Sequence, residues 1–461
     1  MSISDKVSPP PGRGSSLASI DVQQFIDTQR FGSFQWLIVA ICFLIVALDG
    51  FDTAIMGFIA PALVDDWGIQ AATLGPVMSA ALFGLAIGAL TAGPLADRYG
   101  RRLVLNCSVF FFGLWTLLAA TADGVTTLIV LRFLTGLGLG AAMPNAITLT
   151  SEYSPARKRA FITMLMFCGF TLGSAAGGLI AAKLIPAFGW RSLLVLGGAM
   201  PIALFVLMLV KLPESPRYLV IREGNDARIG ALLARISPAT IKGGEHFSIP
   251  EKPDVQQRSS LGVIFVNRLA IGTGLLWFTY FMGLSIIYML GSWLPTLIRD
   301  AGFALDRAAI VTSLFQLGGT AGALLVGFLM DRMSPQRIIA ISYACGGAFI
   351  FLVGHASTDL MLLSLTVLGA GFCMSGSQSA MTALAAGFYP TRGRATGVSW
   401  MLGIGRFGAI AGALVGGLML KLGWSFTTIF TLLAVPAVLA AIALLLMERY
   451  YTGLSGTPAS N

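Results

Sequence analysis

The chain has 461 residues, of which 56% are hydrophobic and only 11% charged, against roughly 25% charged in a soluble domain. With a mean hydropathy of +0.82, so few charges cannot coat a water-exposed surface, so much of that surface must face a lipid bilayer, and a soluble binding module is excluded. The net charge of +9 sits in short clusters between apolar runs, not on one soluble face, which argues against nucleic acid as a partner.

In chain order, residues 1–35 are polar, with Pro9, Pro10 and Pro11, and are expected to be a disordered tail, not a cleavable signal. A membrane span needs about 20 apolar residues. Such runs are predicted over 36–60, 73–96, 103–122, 126–151, 161–183 and 190–212, giving an N-terminal six-helix bundle over 36–212. A polar linker over 213–268 follows, with a surface helix expected over 224–236. A second six-helix bundle is expected over 269–447, with spans near 272–297, 308–330, 337–356, 360–388, 396–420 and 425–447, and residues 448–461 form a second tail. The fold class this implies is all-α integral membrane, with twelve transmembrane helices in two pseudo-symmetric six-helix halves.

Charge orients the chain. With both ends cytoplasmic, Arg132, Lys183, Arg191, Arg299, Arg307 and Lys421 fall on the outer side and Arg406 inside a span, and all the rest of the 30 Lys and Arg lie on the cytoplasmic side. The halves also repeat. Gly93-Pro94-Leu95-Ala96-Asp97-Arg98 closes span 2 and Gly327-Phe328-Leu329-Met330-Asp331-Arg332 closes span 8, while Tyr153-Ser154-Pro155 follows span 4 and Tyr389-Pro390-Thr391 follows span 10. Parallel six-helix repeats mark a carrier whose pathway runs between its halves.

Span 1 carries Asp49-Gly50-Phe51-Asp52 in an otherwise apolar run. Each intramembrane charge costs about 2.5–3.5 kcal/mol on insertion scales. Three positions apart, the two acids lie on one side of a helix. They read either as structural hydrogen-bond acceptors or as a proton-coupling site. Arg132, near the outer end of span 4, matches Asp52 in depth and either pairs with it or snorkels to the interface. Glu152, at the cytoplasmic end of span 4, is the next candidate for carrying a proton.

The loop after span 2 reads Gly93-Pro94-Leu95-Ala96-Asp97-Arg98-Tyr99-Gly100-Arg101-Arg102. Its physical sense is a latch, in which Asp97 meets a helix N-terminus or an arginine while Arg98, Arg101 and Arg102 hold the cytoplasmic face. The second copy, with Asp331 and Arg332, lacks the final Gly-Arg-Arg and is expected to be weaker. Gly136 and Gly140 in span 4, and Gly169, Gly173 and Gly177 in span 5, share helix faces suited to close packing.

Arg406 lies about ten residues into span 11, roughly 15 Å deep at the helical rise. A midplane arginine suits a carboxylate through its planar fork, or serves as a structural partner for a helix end or a buried acid. Tyr280, Tyr288 and Phe315 offer flat apolar faces with Gln316 beside Phe315, and Asn145, Ser375, Ser377 and Gln378 either hydrogen-bond a ligand or bridge helices. No metal or cofactor is expected: the five cysteines lie in apolar stretches, there are two histidines, and no phosphate-binding Gly-x-x-x-x-Gly-Lys or Ser/His/Asp set is present.

The loop 2–3 motif resembles the signature of the major facilitator superfamily at every defining position. Asp49-Gly50-Phe51-Asp52, the span 4 run Gly136-Leu137-Gly138-Leu139-Gly140-Ala141-Ala142-Met143-Pro144-Asn145 and the span 11 run Gly397 to Gly408 around Arg406 are similar to the aromatic acid:proton symporters, among them bacterial 4-hydroxybenzoate/protocatechuate transporters. The resemblance covers the chain from about Asp21 to Leu444. It implies a monomer in the bacterial inner membrane that imports an aromatic carboxylate together with a proton, without enzymatic activity. A proton-driven efflux antiporter, or an importer of another small organic anion, stays open.

Overall fold

A computed structural model of the chain describes residues 19–237, 245–248, 265, 269–330, 332–356, 358–389 and 393–455. Among them, twelve helices are long and apolar enough to cross a membrane. The first six are α2 (Ser33–Trp67), α3 (Gly75–Tyr99), α4 (Arg101–Ala119), α5 (Val125–Glu152), α6 (Arg159–Phe188) and α7 (Trp190–Lys211). The second six are α10 (Leu269–Asp300), α11 (Leu305–Met330), α12 (Pro335–His355), α13 (Leu360–Phe388), α14 (Arg394–Lys421) and α15 (Phe426–Ser455). The membrane-spanning fold is all-α, and with twelve spans the start of α2 and the end of α15 lie at one end of the bundle, called here the tail end; the opposite end is the far end.

Backbone-to-backbone packing sets the arrangement. A Cβ on Gly136 or Gly140 of α5 would run into the carbonyls of Ala81 and Leu85 on α3, and a Cβ on Gly173 of α6 into the Ala47 carbonyl on α2. The second half repeats this. Gly322 of α11 and Gly371 of α13 face the carbonyls of Phe372 and Phe315 on one another's helix, and Gly412 of α14 faces the Ser285 carbonyl on α10. In lipid the hydrophobic effect does not drive helices together, so such close approach, with its dispersion contacts, does the holding.

The elements differ from the expected bounds in several places, among them the end of α2 at Trp67. Within the predicted tail 1–35, Ser19–Asp21 form a strand β1 and Val22–Thr28 a helix α1. Asp21 caps α1 by accepting from the backbone N–H of Gln23 at 2.8 Å and Gln24 at 3.2 Å. Val22, Phe25 and Ile26 then bury one face of it in a cluster with Leu232, Leu233 and Phe247. Strand β1 pairs in parallel with β2 (His246–Ser248) of the linker. The linker helix expected over 224–236 is α9 (Asp226–Ala234), which begins where the Asn225 side chain accepts from Arg228 N–H, and it is preceded by a short α8 (Pro216–Tyr218) and a π-helical turn over Leu219–Glu223 that were not expected. The last helix, α15, continues past the expected limit at 447 to Ser455.

A Gly173→Ala protein should lose about 1–3 kcal/mol of stability through forced separation of α2 and α6. Gly274→Ala, where a Cβ would meet nothing within 4 Å, should be neutral. Thermal unfolding of both proteins in detergent checks this; equal midpoints would contradict the packing account.

Candidate functional site

Span 1 places its two acids in different company. Asp52 is fully buried and so is Arg132. The guanidinium grips the carboxylate with two prongs, Nη1 to Oδ1 at 3.1 Å and Nη2 to Oδ2 at 2.9 Å, and Nη2 also reaches the Asp52 carbonyl at 3.3 Å. Thr116 of α4 donates to Asp52 Oδ1 at 2.7 Å. One carboxylate thereby joins α2, α4 and α5. Of the two sequence readings of Arg132, pairing with Asp52 is the one the structure has, and the side chain does not snorkel. Helix α2 runs on to Trp67, so the pair sits near the middle of that helix and not near its end.

Asp49, one turn away, is also buried, yet its hydrogen bond among the described residues is a weak one from Thr53 Oγ1 at 3.4 Å. The cation whose charge reaches it is Arg406 on α14, from the other half. Among the described residues, no carboxylate lies within ion-pair distance of Arg406, and its guanidinium is faced by the Tyr288 hydroxyl. Tyr280 is drawn into the same neighbourhood, its ring packed against Gly405. A small cavity between the halves is lined by Thr53, Met56, Met78, Leu82, Arg132 and Tyr288. Arg406 and Asp49 do not line that cavity, but among the described residues neither has an ion-pair partner, which leaves the guanidinium able to meet a carboxylate.

The remaining candidates divide. Gln378 is buried near Tyr280, accepting from the Tyr343 hydroxyl at 2.8 Å. Asn145 is buried but spends its Nδ2 on the Ala141 carbonyl of its own helix, at 2.8 Å. Phe315 is buried where α11 crosses α13, and Gln316 is half-buried on α11.

Glu152 also belongs elsewhere. It lies at the tail end, where the Ser215 hydroxyl donates to its Oε2 and Arg101 approaches Oε1 at 3.8 Å. Arg101 in turn holds Asp97 at 2.7 Å. Glu214, next to Ser215, accepts from the backbone N–H of Arg101 at 2.8 Å and of Arg102 at 3.0 Å, capping the N-terminus of α4. Gly100 makes this possible: its φ is +94°, and a Cβ there would strike the Glu214 carboxylate. Arg102 donates to the Leu209 carbonyl at 2.6 Å, Arg98 covers the Tyr99 ring, and Gly93 is open to space. Asp97 is two-thirds exposed and its partner is on its own half. In the second copy, Arg332 lies over the Phe328 ring at 4.1 Å, and Asp331 falls outside the described residues. Sequence reading missed Thr116, Glu214 and Ser215, because a threonine in an apolar run and two polar residues opening a polar linker carry no pattern of their own.

The halves are tied to each other at mid-bundle and at the far end. Thr171 of α6 and Thr320 of α11 share a 2.6 Å hydrogen bond. At the far end, Arg299 of α10 donates to the Pro61 carbonyl at 2.8 Å and pairs with Asp65 of α2 at 2.6 Å. Below that pair, Gly57 packs directly on the Gly291 carbonyl.

Breaking the buried pair from one side strands a charge. Asp52→Asn should cost about 3–5 kcal/mol, and an apolar double replacement, Asp52→Leu with Arg132→Met, should recover most of that loss. Thermal unfolding of the single and double variants in detergent tests this. A single variant as stable as the unaltered protein would contradict it.

Residues 42–369 and 276–459 match the profile of the Major Facilitator Superfamily. The chain is 56% identical over 427 residues to the 4-hydroxybenzoate transporter PcaK of Pseudomonas aeruginosa, covering 93% of this chain and 95% of that protein. It is 51% identical over 442 residues to a gallate transporter of Pseudomonas putida, covering 96% and 98%. Among solved structures, the xylose transporter XylE from E. coli, in a partially occluded inward-open conformation, superposes with a TM-score of 0.68 at 17% identity, covering 90% of this chain and 98% of that one. On sequence profile, on identity along nearly its whole length and on its twelve-helix fold, the chain belongs to the Major Facilitator Superfamily.

Proposed function

We propose that this protein is a secondary transporter that brings an aromatic carboxylate into the cell together with a proton. The observation that carries the reading is the contrast within span 1: Asp52 is neutralised by a two-pronged arginine, while Asp49, equally buried, faces Arg406 across the gap between the halves. An acid enclosed without a bound cation can shed its desolvation cost by taking a proton. An arginine without a carboxylate can take one from a ligand, and its planar fork suits that role. The relatives named for 4-hydroxybenzoate and gallate transport support an aromatic acid as that ligand.

The cycle follows from charge. Substrate anion on Arg406 leaves Asp49 with less positive charge to face, so anion binding favours proton uptake on Asp49. Carrying a proton along also offsets the cost of moving an anion against an inside-negative potential, about 2.3 kcal/mol per charge per 100 mV. Of the two sequence candidates, Asp49 is the proton carrier on this reading and the Asp52–Arg132 pair is the fixed strut beside it. The six-helix halves over 36–212 and 269–447 rock about the Thr171–Thr320 contact, exposing the site alternately to each side. The Arg299–Asp65 pair closes the far end, while Asp97 stands exposed at the tail end, so this conformation reads as open toward the tail end. The distribution of Lys and Arg supports a cytoplasmic tail end and an inner-membrane location, and the protein is taken as a monomer working on its own.

Two outcomes follow for protein in reconstituted vesicles. Asp49→Asn should abolish accumulation of labelled 4-hydroxybenzoate driven by a pH gradient while leaving exchange of internal for external substrate measurable, since exchange moves no net proton; accumulation by Asp49→Asn would sink the assignment. Arg406→Lys, which keeps the charge but not the fork, should raise KM by about tenfold, the equivalent of one charge-assisted hydrogen bond. An unchanged KM with a lower maximal rate would instead make Arg406 structural.

A further inference from the structure

Behind the Arg406 site, the second half holds a chain of polar groups that ion or proton handling does not require. Tyr343 on α12 is fully buried, and its hydroxyl donates to Gln378 Oε1 at 2.8 Å. That bond fixes the amide: with its oxygen turned to Tyr343, its NH2 is turned to α10, where Nε2 stands 3.5 Å from the Tyr280 carbonyl. Gln378 and Thr382 lie beside the Tyr280 hydroxyl. Two glycines make the space. A Cβ on Gly283 would strike both Gln378 Oε1 and the Tyr343 hydroxyl, and a Cβ on Gly405 would strike the Tyr280 ring. Gly405 immediately precedes Arg406, so the Tyr280 end of the chain adjoins the proposed carboxylate site.

An amide NH2 has two protons, and a phenol both gives and takes a hydrogen bond. The 3.5 Å contact to the Tyr280 carbonyl is at the edge of a hydrogen bond, so the amide proton turned to that carbonyl is weakly held. A site built this way prefers a ligand that brings its own hydroxyl. An apolar pocket cannot make that distinction strongly, whereas a site built for a hydroxyl penalises the analogue lacking it.

We propose that the Tyr343–Gln378–Tyr280 chain sets a preference for ring-hydroxylated over unsubstituted aromatic carboxylates, with Tyr343 as a positioning residue that acts through the Gln378 amide and does not touch substrate. This rests on the reading that an aromatic carboxylate is held at Arg406. It adds to that reading the part of the ligand that the second half recognises.

The test compares uptake of 4-hydroxybenzoate and benzoate by the full chain in vesicles, for the unaltered protein and for Tyr343→Phe, with thermal unfolding of both to establish that the variant is folded. Tyr343→Phe keeps the ring and its packing but frees the amide to rotate. The expected result is a KM for 4-hydroxybenzoate raised by about fivefold to tenfold, as loss of one buried hydrogen bond predicts, with the benzoate KM and both maximal rates nearly unchanged. An equal rise for both acids, or no change for 4-hydroxybenzoate, overturns the inference and leaves the transport reading standing. Absence of saturable uptake of either acid by the unaltered protein overturns the transport reading and this inference with it.

Discussion

A charge enclosed by helices that are themselves enclosed by lipid has no water to return to, so it must be matched by an opposite charge or be able to lose its own. Span 1 meets that constraint in both ways within one helical turn. Asp52 is matched: Arg132 and Thr116 satisfy its carboxylate from two neighbouring helices, and the three helices become one unit. Asp49, in the same helix, has no cation bound among the described residues, and the positive charge that reaches it is that of Arg406 on the other half. The rigid pair gives the first half a fixed frame. Against that frame a proton on Asp49 and an anion on Arg406 can alter how the halves attract one another.

The contacts between the halves suit that task. At mid-bundle the Thr171–Thr320 hydroxyl pair joins α6 to α11, and Gly178 of α6 packs closely on Ser313 and the Ala309 carbonyl of α11. At the far end a partly exposed arginine pair and a glycine-on-carbonyl contact close the gap. The far-end ion pair separates at modest cost, since exposed ion pairs are worth about 0–1 kcal/mol. The tail-end cluster around Glu214 is different: its hydrogen bonds to α4, to Glu152 through Ser215 and to Arg101 all remain within the first half. It braces the loop that carries Asp97, whose exposed carboxylate is held by Arg101.

The helical architecture was legible in the sequence because lipid imposes one long apolar run per span, and because six-helix repeats leave matched loops such as Gly93–Arg98 and Gly327–Arg332. The acids of span 1 stood out for the same reason that they are expensive. The division of labour between them did not, because it depends on Arg132 and Arg406 arriving from distant parts of the chain. Depth matching along the sequence suggested the Arg132 partner, although the end of α2 lay further on than hydropathy indicated, at Trp67. The α1 helix was hidden by its shortness: its three apolar residues, Val22, Phe25 and Ile26, gain a core only when the linker brings Leu232, Leu233 and Phe247 to meet them. Asn145 looked like a ligand because polar residues are rare in spans, but its amide serves its own helix. Tyr343 carried no signal, since an aromatic residue in an apolar run is ordinary until Gln378 is placed against it.

The central claim is that Asp49 exchanges a proton while Asp52 stays bound to Arg132. Infrared difference spectroscopy on reconstituted protein, recorded as pH is stepped through the range in which transport operates, reads this directly. The account predicts one carboxylic-acid carbonyl band that titrates in the unaltered protein, persists when Asp52 and Arg132 are replaced together, and is absent from Asp49→Asn. A titrating band that survives in Asp49→Asn and disappears with the Asp52–Arg132 pair would contradict it.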